Sequence, residues 1–122
     1  MQPIAITQGD PAGIGPEIVA KAFRDAPDAL RHCFVVGDVA TVRRAAGVIT
    51  RPGVPGVPVA QIGAPGEAAD VPPRCIPVLQ LPGIPGPQPW GEISPAAGRA
   101  AADSVVWALS LIHISEPTRL LS

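Results

Sequence analysis

Aromatic side chains are nearly absent: phenylalanine, tryptophan and tyrosine make up 3% of the 122 residues, and there is no tyrosine. Cysteine and histidine occur twice each, as Cys33, Cys75, His32 and His113. Two cysteines make no disulfide framework and show no metal-ligand spacing, so they are expected to be reduced, buried, small apolar residues of a cytoplasmic protein. Charge is also scarce: nine basic and ten acidic residues leave a net charge of −1. Such a balance provides no field for a polyanion, which argues against a nucleic-acid partner. No apolar run approaches the roughly 20 residues that span a bilayer, so no membrane partner is expected either. The start, Met1-Gln2-Pro3-Ile4, lacks a basic region before an apolar stretch, and no signal peptide is read there.

Proline and glycine are abundant instead. Seventeen prolines and thirteen glycines form about a quarter of the chain, close to the range of low-complexity sequence. Mean hydropathy is nevertheless +0.31, the reverse of the disordered signature. The two facts are compatible because eleven of the prolines lie between Arg51 and Trp90. The chain reads as one folding portion interrupted by a stiff insertion over about residues 51–91.

Residues 3–7 form a short apolar run stopped by Gln8-Gly9-Asp10-Pro11, a buried strand entering a turn. Pro16 suits the first position of a helix and Glu17 its first turn, predicting a helix over 16–26 with Ile18, Val19, Ala22 and Phe23 facing inward. A second strand is predicted over 33–37. A helix over 39–46 follows, capped by Asp38 and stopped by Gly47, with Val39, Val42 and Ala46 inward and Arg43 and Arg44 outward. Strand–helix alternation with continuous apolar strands predicts an α/β fold with a parallel sheet buried on both faces. Residues 57–62 and 75–79 are weaker strand candidates, each demoted to a sheet edge by an internal proline. Ser94 and Pro95 open a helix over 95–108, with Ala101, Val105 and Ala108 on one face.

The chemistry-bearing segment is Gly9-Asp10-Pro11-Ala12-Gly13-Ile14-Gly15-Pro16-Glu17. Glycines between a strand and a helix allow close backbone approach, and the helix start offers amides and a positive dipole end. It is neither a P-loop nor the dinucleotide fingerprint. The plain alternative is a tight turn. The same loop alone could make a small non-catalytic phosphate-binding module, and Pro85–Trp90 could serve as a polyproline ligand in an interaction protein.

Ile4–Ala22 resembles the N-terminal signature of the 4-hydroxythreonine-4-phosphate dehydrogenases of pyridoxal phosphate (vitamin B6) biosynthesis. Phe34-Val35-Val36-Gly37-Asp38 and Gly91–Ala101 are similar to the same family in order and spacing. The resemblance covers about residues 3–108. It implies the N-terminal part of an α/β/α fold like that of isocitrate and isopropylmalate dehydrogenases, incomplete here, which forms a homodimer in the intact enzyme. It further implies an NAD- or NADP-dependent oxidation of the secondary alcohol of a small phosphorylated amino-acid substrate, with decarboxylation, assisted by a divalent metal held by histidines. By likeness to a related loop, Gly13, Ile14 and Gly15 are assigned to the cofactor side, and Gly9 and Asp10 to holding the turn. The family's metal ligands and phosphate-gripping residues lie beyond the first hundred residues, and neither His32 nor His113 matches one. Catalytic and metal residues are therefore expected to be missing from this chain. Leu109–Arg119 resembles the in-frame translation of a transposase adapter used in sequencing libraries, so residues 109–122 are expected to be a foreign tail. With the tail and the insertion set aside, about 65 residues remain for a core, a marginal size. Val35, Val36, Ile4 and Ile6 are expected to be left partly uncovered, making the chain prone to aggregate.

Overall fold

A computed structural model describes residues 3–54, 56–92, 94–114 and 119–121. Five strands form one parallel sheet: β1 (Ile4–Thr7), β2 (Cys33–Gly37), β3 (Val59–Ile62), β4 (Ile76–Gln80) and β5 (Arg119–Leu121), in the order β3-β4-β2-β1-β5. Helix α1 (Gly15–Asp25) links β1 to β2, α2 (Val39–Val48) leads towards β3, and α3 (Pro95–Ile114) precedes β5. A 3-10 turn, Pro65–Asp70, crosses from β3 to β4. The α/β reading holds, and β1 and β2 pair in parallel with Ile4 opposite Cys33.

The residues of β2 alternate between two cores. Cys33 and Val35 pack with Ala20, Phe23, Val42 and Ile76 beneath α1 and α2. Phe34 and Val36 pack with Ala5, Ile62, Ala68 and Leu81 on the opposite face. Crossovers that step one way along the sheet use the first face and those that return use the second, as right-handed connections require. Val35 and Val36 are fully buried, contrary to the expected exposure, because α1 and α2 cover Val35 on the first face while the 3-10 turn and α3 cover the second face, where Val36 lies. Ile4 and Ile6 remain half-buried.

Helix faces differ from the expectation in three places. Along α1 the buried line is Pro16, Ala20 and Phe23, while Ile18 is 56% exposed. At about 100° per residue, Ile18 sits about 200° from both Pro16 and Ala20. The helix also starts one residue earlier, at Gly15, which makes Pro16 its second residue. Gly47 does not stop α2: Ile49 is the C-cap, with its N–H bonded to Ala45 O, because the buried Ile49 anchors the last turn in the core. Among the described side chains of α3 the buried ones are Ala97 and Ala100, and Val105 faces outward, since α3 meets β1 and β2 through small side chains. The side chain of Ala108 lies outside the described residues. The helix runs six residues beyond Ala108, to Ile114, because no glycine or proline interrupts Leu109–Ile114 and Pro117 is the next breaker.

Pro77 provides the clearest correction. β3 is an edge strand, but β4 lies between β3 and β2. Ile76 N donates to Pro58 O, and Leu81 N donates to Gly37 O. Bonds to one neighbour recur at every second residue, so position 77 faces β2, where paired register begins only at Val35 opposite Val78. The missing N–H thus falls at the start of the β4–β2 ladder, where it interrupts nothing. Cys33 and Cys75 are free and buried, and burial pushes both thiols above their ordinary range. No helix among the described residues is long and apolar enough to cross a membrane.

Candidate functional site

The carboxyl ends of β1, β2 and β4 carry Gln8, Asp38 and Gln80. In open α/β sheets this edge is where ligands bind. Asp38 has the backbone of an N-cap, and its Oδ2 accepts from Thr41 N and Thr41 Oγ1, both at 2.9 Å. Its Oδ1 accepts from Gln80 Nε2 at 3.0 Å, and Gln80 Oε1 accepts from Val39 N at 2.8 Å. Gln8 is 1% exposed, with Oε1 accepting from Asp38 N at 2.9 Å and Nε2 buried without a partner among the described residues. Gln8 therefore ties the end of β1 to the start of α2. Replacing Asp38 by alanine strands three donors and is expected to cost about 1–3 kcal/mol in urea unfolding. Asp38→Asn, which keeps one acceptor oxygen, should recover part of that loss; equal losses for the two variants would remove the capping account.

Above this floor lies the glycine-rich turn. Gly9 has φ +76°, a left-handed conformation that glycine adopts without strain. Asp10 Oδ1 accepts from Ala12 N at 2.8 Å and Asp10 O accepts from Gly13 N at 3.0 Å, folding the turn onto its own carboxylate. Ile14 is the N-cap of α1 with no side-chain cap bond, and its side chain is 70% exposed. A Cβ on Gly15 would stand 2.8 Å from Gln8 O, whereas one on Gly13 would meet Asp10 no closer than 3.5 Å. Gly13, Ile14 and Gly15 thus form an open, uncapped helix start beside an exposed aliphatic side chain. A flat apolar ring or a phosphate fits such a surface.

Two residues missed in the sequence complete the edge. Arg44, expected to point into solvent, is half-buried: its Nη2 donates to Pro11 O at 2.8 Å and its guanidinium lies 4.0 Å from the centre of the Trp90 ring. Gly91 N donates to Ala12 O at 2.7 Å. Helical spacing alone cannot announce such contacts, because they join segments more than thirty residues apart in the chain. A separate cleft of about 230 Å³, lined by Phe23, Leu30, Val71, Cys75 and Pro77 among others, opens at the amino ends of β2 and β4, away from the turn.

No group of three histidine, cysteine or carboxylate side chains able to hold a metal occurs among the described residues. His32 sits at the entrance to β2, where its carbonyl accepts from Ile4 N, at the far end of the sheet from the turn. The side chain of His113 is outside the described residues.

No family model matches the chain. It is 39% identical over 95 residues to the 4-hydroxythreonine-4-phosphate dehydrogenase of Caulobacter vibrioides, covering 78% of this chain and 26% of that protein. Over 69 residues it is 41% identical to a D-threonate 4-phosphate dehydrogenase of Pectobacterium atrosepticum, covering 57% of this chain and 20% of that one. The crystal structure of 4-hydroxythreonine-4-phosphate dehydrogenase from Klebsiella pneumoniae superimposes with a TM-score of 0.78 at 32% identity, over 93% of this chain and 34% of that one. A Burkholderia phymatum structure of the same description gives 0.77 at 29% identity, with the same two coverages. The chain thus spans between a fifth and about a third of the length of these relatives. In sequence and in fold, the chain is similar to one part of the 4-hydroxythreonine-4-phosphate dehydrogenases.

Proposed function

We propose that this chain supplies the cofactor-facing turn of an NAD(P)-dependent dehydrogenase acting on a four-carbon hydroxy acid phosphorylated at C4. The substrate class is what the names of the relatives share: 4-hydroxythreonine 4-phosphate in one group and D-threonate 4-phosphate in the other. The observation that carries the reading is the uncapped start of α1, with Gly15 pressed against Gln8 O and Ile14 open to solvent. Oxidation of a secondary alcohol releases a hydride and a proton, and the nicotinamide supplies the hydride acceptor when bound. Gly9 and Asp10 hold the turn, Gly15 lets the cofactor approach the backbone, and Ile14 provides an apolar contact for a ring. In the whole enzyme the product loses carbon dioxide, in the synthesis of pyridoxal phosphate, and the enzyme works as a homodimer.

The described residues of this chain do not fit a divalent metal. Residues 109–122 stand apart in this reading as a segment foreign to the enzyme. The 122-residue chain alone is accordingly expected to give no reduction of NAD or NADP with either phosphorylated substrate, with or without added divalent metal. Grafted as residues 3–108 in place of the matching segment of the Caulobacter vibrioides enzyme, it is expected to support metal-dependent turnover. A well-folded chimera without turnover would leave only the alternative of a non-catalytic phosphate-binding turn.

A further inference from the structure

The connection from β4 to α3 carries Pro82, Pro85, Pro87 and Pro89. A proline-rich segment of this kind makes few internal hydrogen bonds, so its place is set by contacts at its ends. Within it, Gln88 Nε2 donates to Gly86 O at 3.0 Å, an internal and exposed bond that ties the segment to nothing else. At its far end, two hydrogen bonds reach consecutive residues of the glycine-rich turn, and a third contact joins Arg44 to Trp90. Gly91 N donates to Ala12 O at 2.7 Å. Arg44 Nη2 donates to Pro11 O at 2.8 Å, and the same guanidinium covers one side of Trp90 at 4.0 Å.

We propose that Arg44 is a positioning residue that latches the proline-rich connection onto the glycine-rich turn and so fixes the wall of the ligand-binding edge. The chemistry asks for arginine. A planar guanidinium stacks through its face while donating through its rim, so one group serves the ring and the carbonyl together. A lysine ammonium is a point charge that satisfies one of them at the expense of the other. With Trp90 held in this way, Pro85–Trp90 is part of the wall rather than a free polyproline ligand. The latch goes beyond the cofactor reading, and only the last arm of its test rests on that reading.

The test uses the full chain at low temperature and low concentration, with Trp107→Phe leaving Trp90 as the single tryptophan. In this background Arg44→Lys is expected to shift Trp90 emission to the red and to speed exchange of the Gly91 amide by about tenfold or more. Arg43→Lys, on the exposed neighbour, should change neither. Trp90→Leu should speed Gly91 exchange on its own, and the pair Arg44→Lys/Trp90→Leu should do little more than the larger single change, because both break one contact. Unchanged emission and exchange in Arg44→Lys, with far-ultraviolet circular dichroism intact, would overturn the proposal. So would effects of the two substitutions that simply multiply. If Arg44→Lys does not fold, unchanged Gly91 exchange in Trp90→Leu overturns it equally. NADH titration of the enzyme grafted with residues 3–108 separates the two readings: faster Gly91 exchange in Arg44→Lys without NADH binding by the well-folded graft supports the latch and removes the cofactor assignment.

Discussion

Replacing Phe34 by alanine is expected to abolish the cooperative unfolding transition of this chain. Phe34 is fully buried in β2, with the core of the second face (Ala5, Val36, Ile62, Ala68 and Leu81) gathered around it. Those neighbours are small or aliphatic, and several are fixed by strand pairing, so they cannot collapse into the space a benzyl group leaves. Loss of a buried phenylalanine side chain costs about 3–5 kcal/mol when the site stays open. Domains of ordinary stability have about 5–15 kcal/mol in total. A chain of this size, with Ile14, Ile18, Trp90 and Val106 exposed on its surface, is expected at or below the lower end. Urea unfolding followed by circular dichroism checks this: Phe34→Leu should keep a transition, displaced by about 1 kcal/mol, while Phe34→Ala should show a sloping baseline and aggregation. A loss under about 1 kcal/mol for Phe34→Ala would mean that the second face is not a packed core.

Gly15→Ala is expected to be the most damaging single change in the turn. The new methyl group would stand 2.8 Å from Gln8 O, and that oxygen belongs to the backbone at the end of β1, next to a side chain pinned to Asp38 N. Neither partner yields without moving β1 or α1, so a cost of about 1–3 kcal/mol follows. Gly13→Ala is the internal control: its methyl would meet Asp10 at 3.5 Å, an ordinary contact, and the change should stay within about 0.5 kcal/mol. Chemical denaturation of the two variants at constant m gives the difference directly. In the grafted enzyme the same pair should separate again, with Gly15→Ala raising KM for the cofactor and Gly13→Ala leaving it near the parent value. Equal behaviour of the two would show that the close approach at Gly15 is relaxed in solution.

Local chemistry was enough to place most of the elements. Apolar runs ended by Gly-Asp pairs located β1 and β2, because glycine and aspartate favour a turn over a continued strand. Asp38 and Ser94 cap α2 and α3 through Thr41 N at 2.9 Å and Ala97 N at 3.1 Å, bonds that span three residues and so need no knowledge of the rest of the chain. Helical crossovers dictated parallel pairing for the same reason. The string Ile4–Ala22 was specific enough to carry the family resemblance.

Tertiary structure decided what depends on partners distant in the chain. Pro77 is tolerated inside the sheet because its missing donor falls where the β4–β2 ladder begins, a matter of register that no local pattern contains. Ile18 faces outward because the line from Pro16 to Phe23 is the one that meets the sheet, and helical periodicity leaves the rotation of a short helix open. Gly47 failed as a stop because Ile49, two residues on, is drawn into the core. Arg44 reads as a solvent-facing charge in α2 until the connection after β4 brings Trp90 beneath it and the turn after β1 brings Pro11 to its rim. The Gln8–Asp38–Gln80 network likewise joins residues 30 and 42 positions apart. Capping and strand propensity act within a few residues and are therefore legible in sequence, whereas the candidate site is assembled from three strand ends whose proximity exists only in the folded sheet.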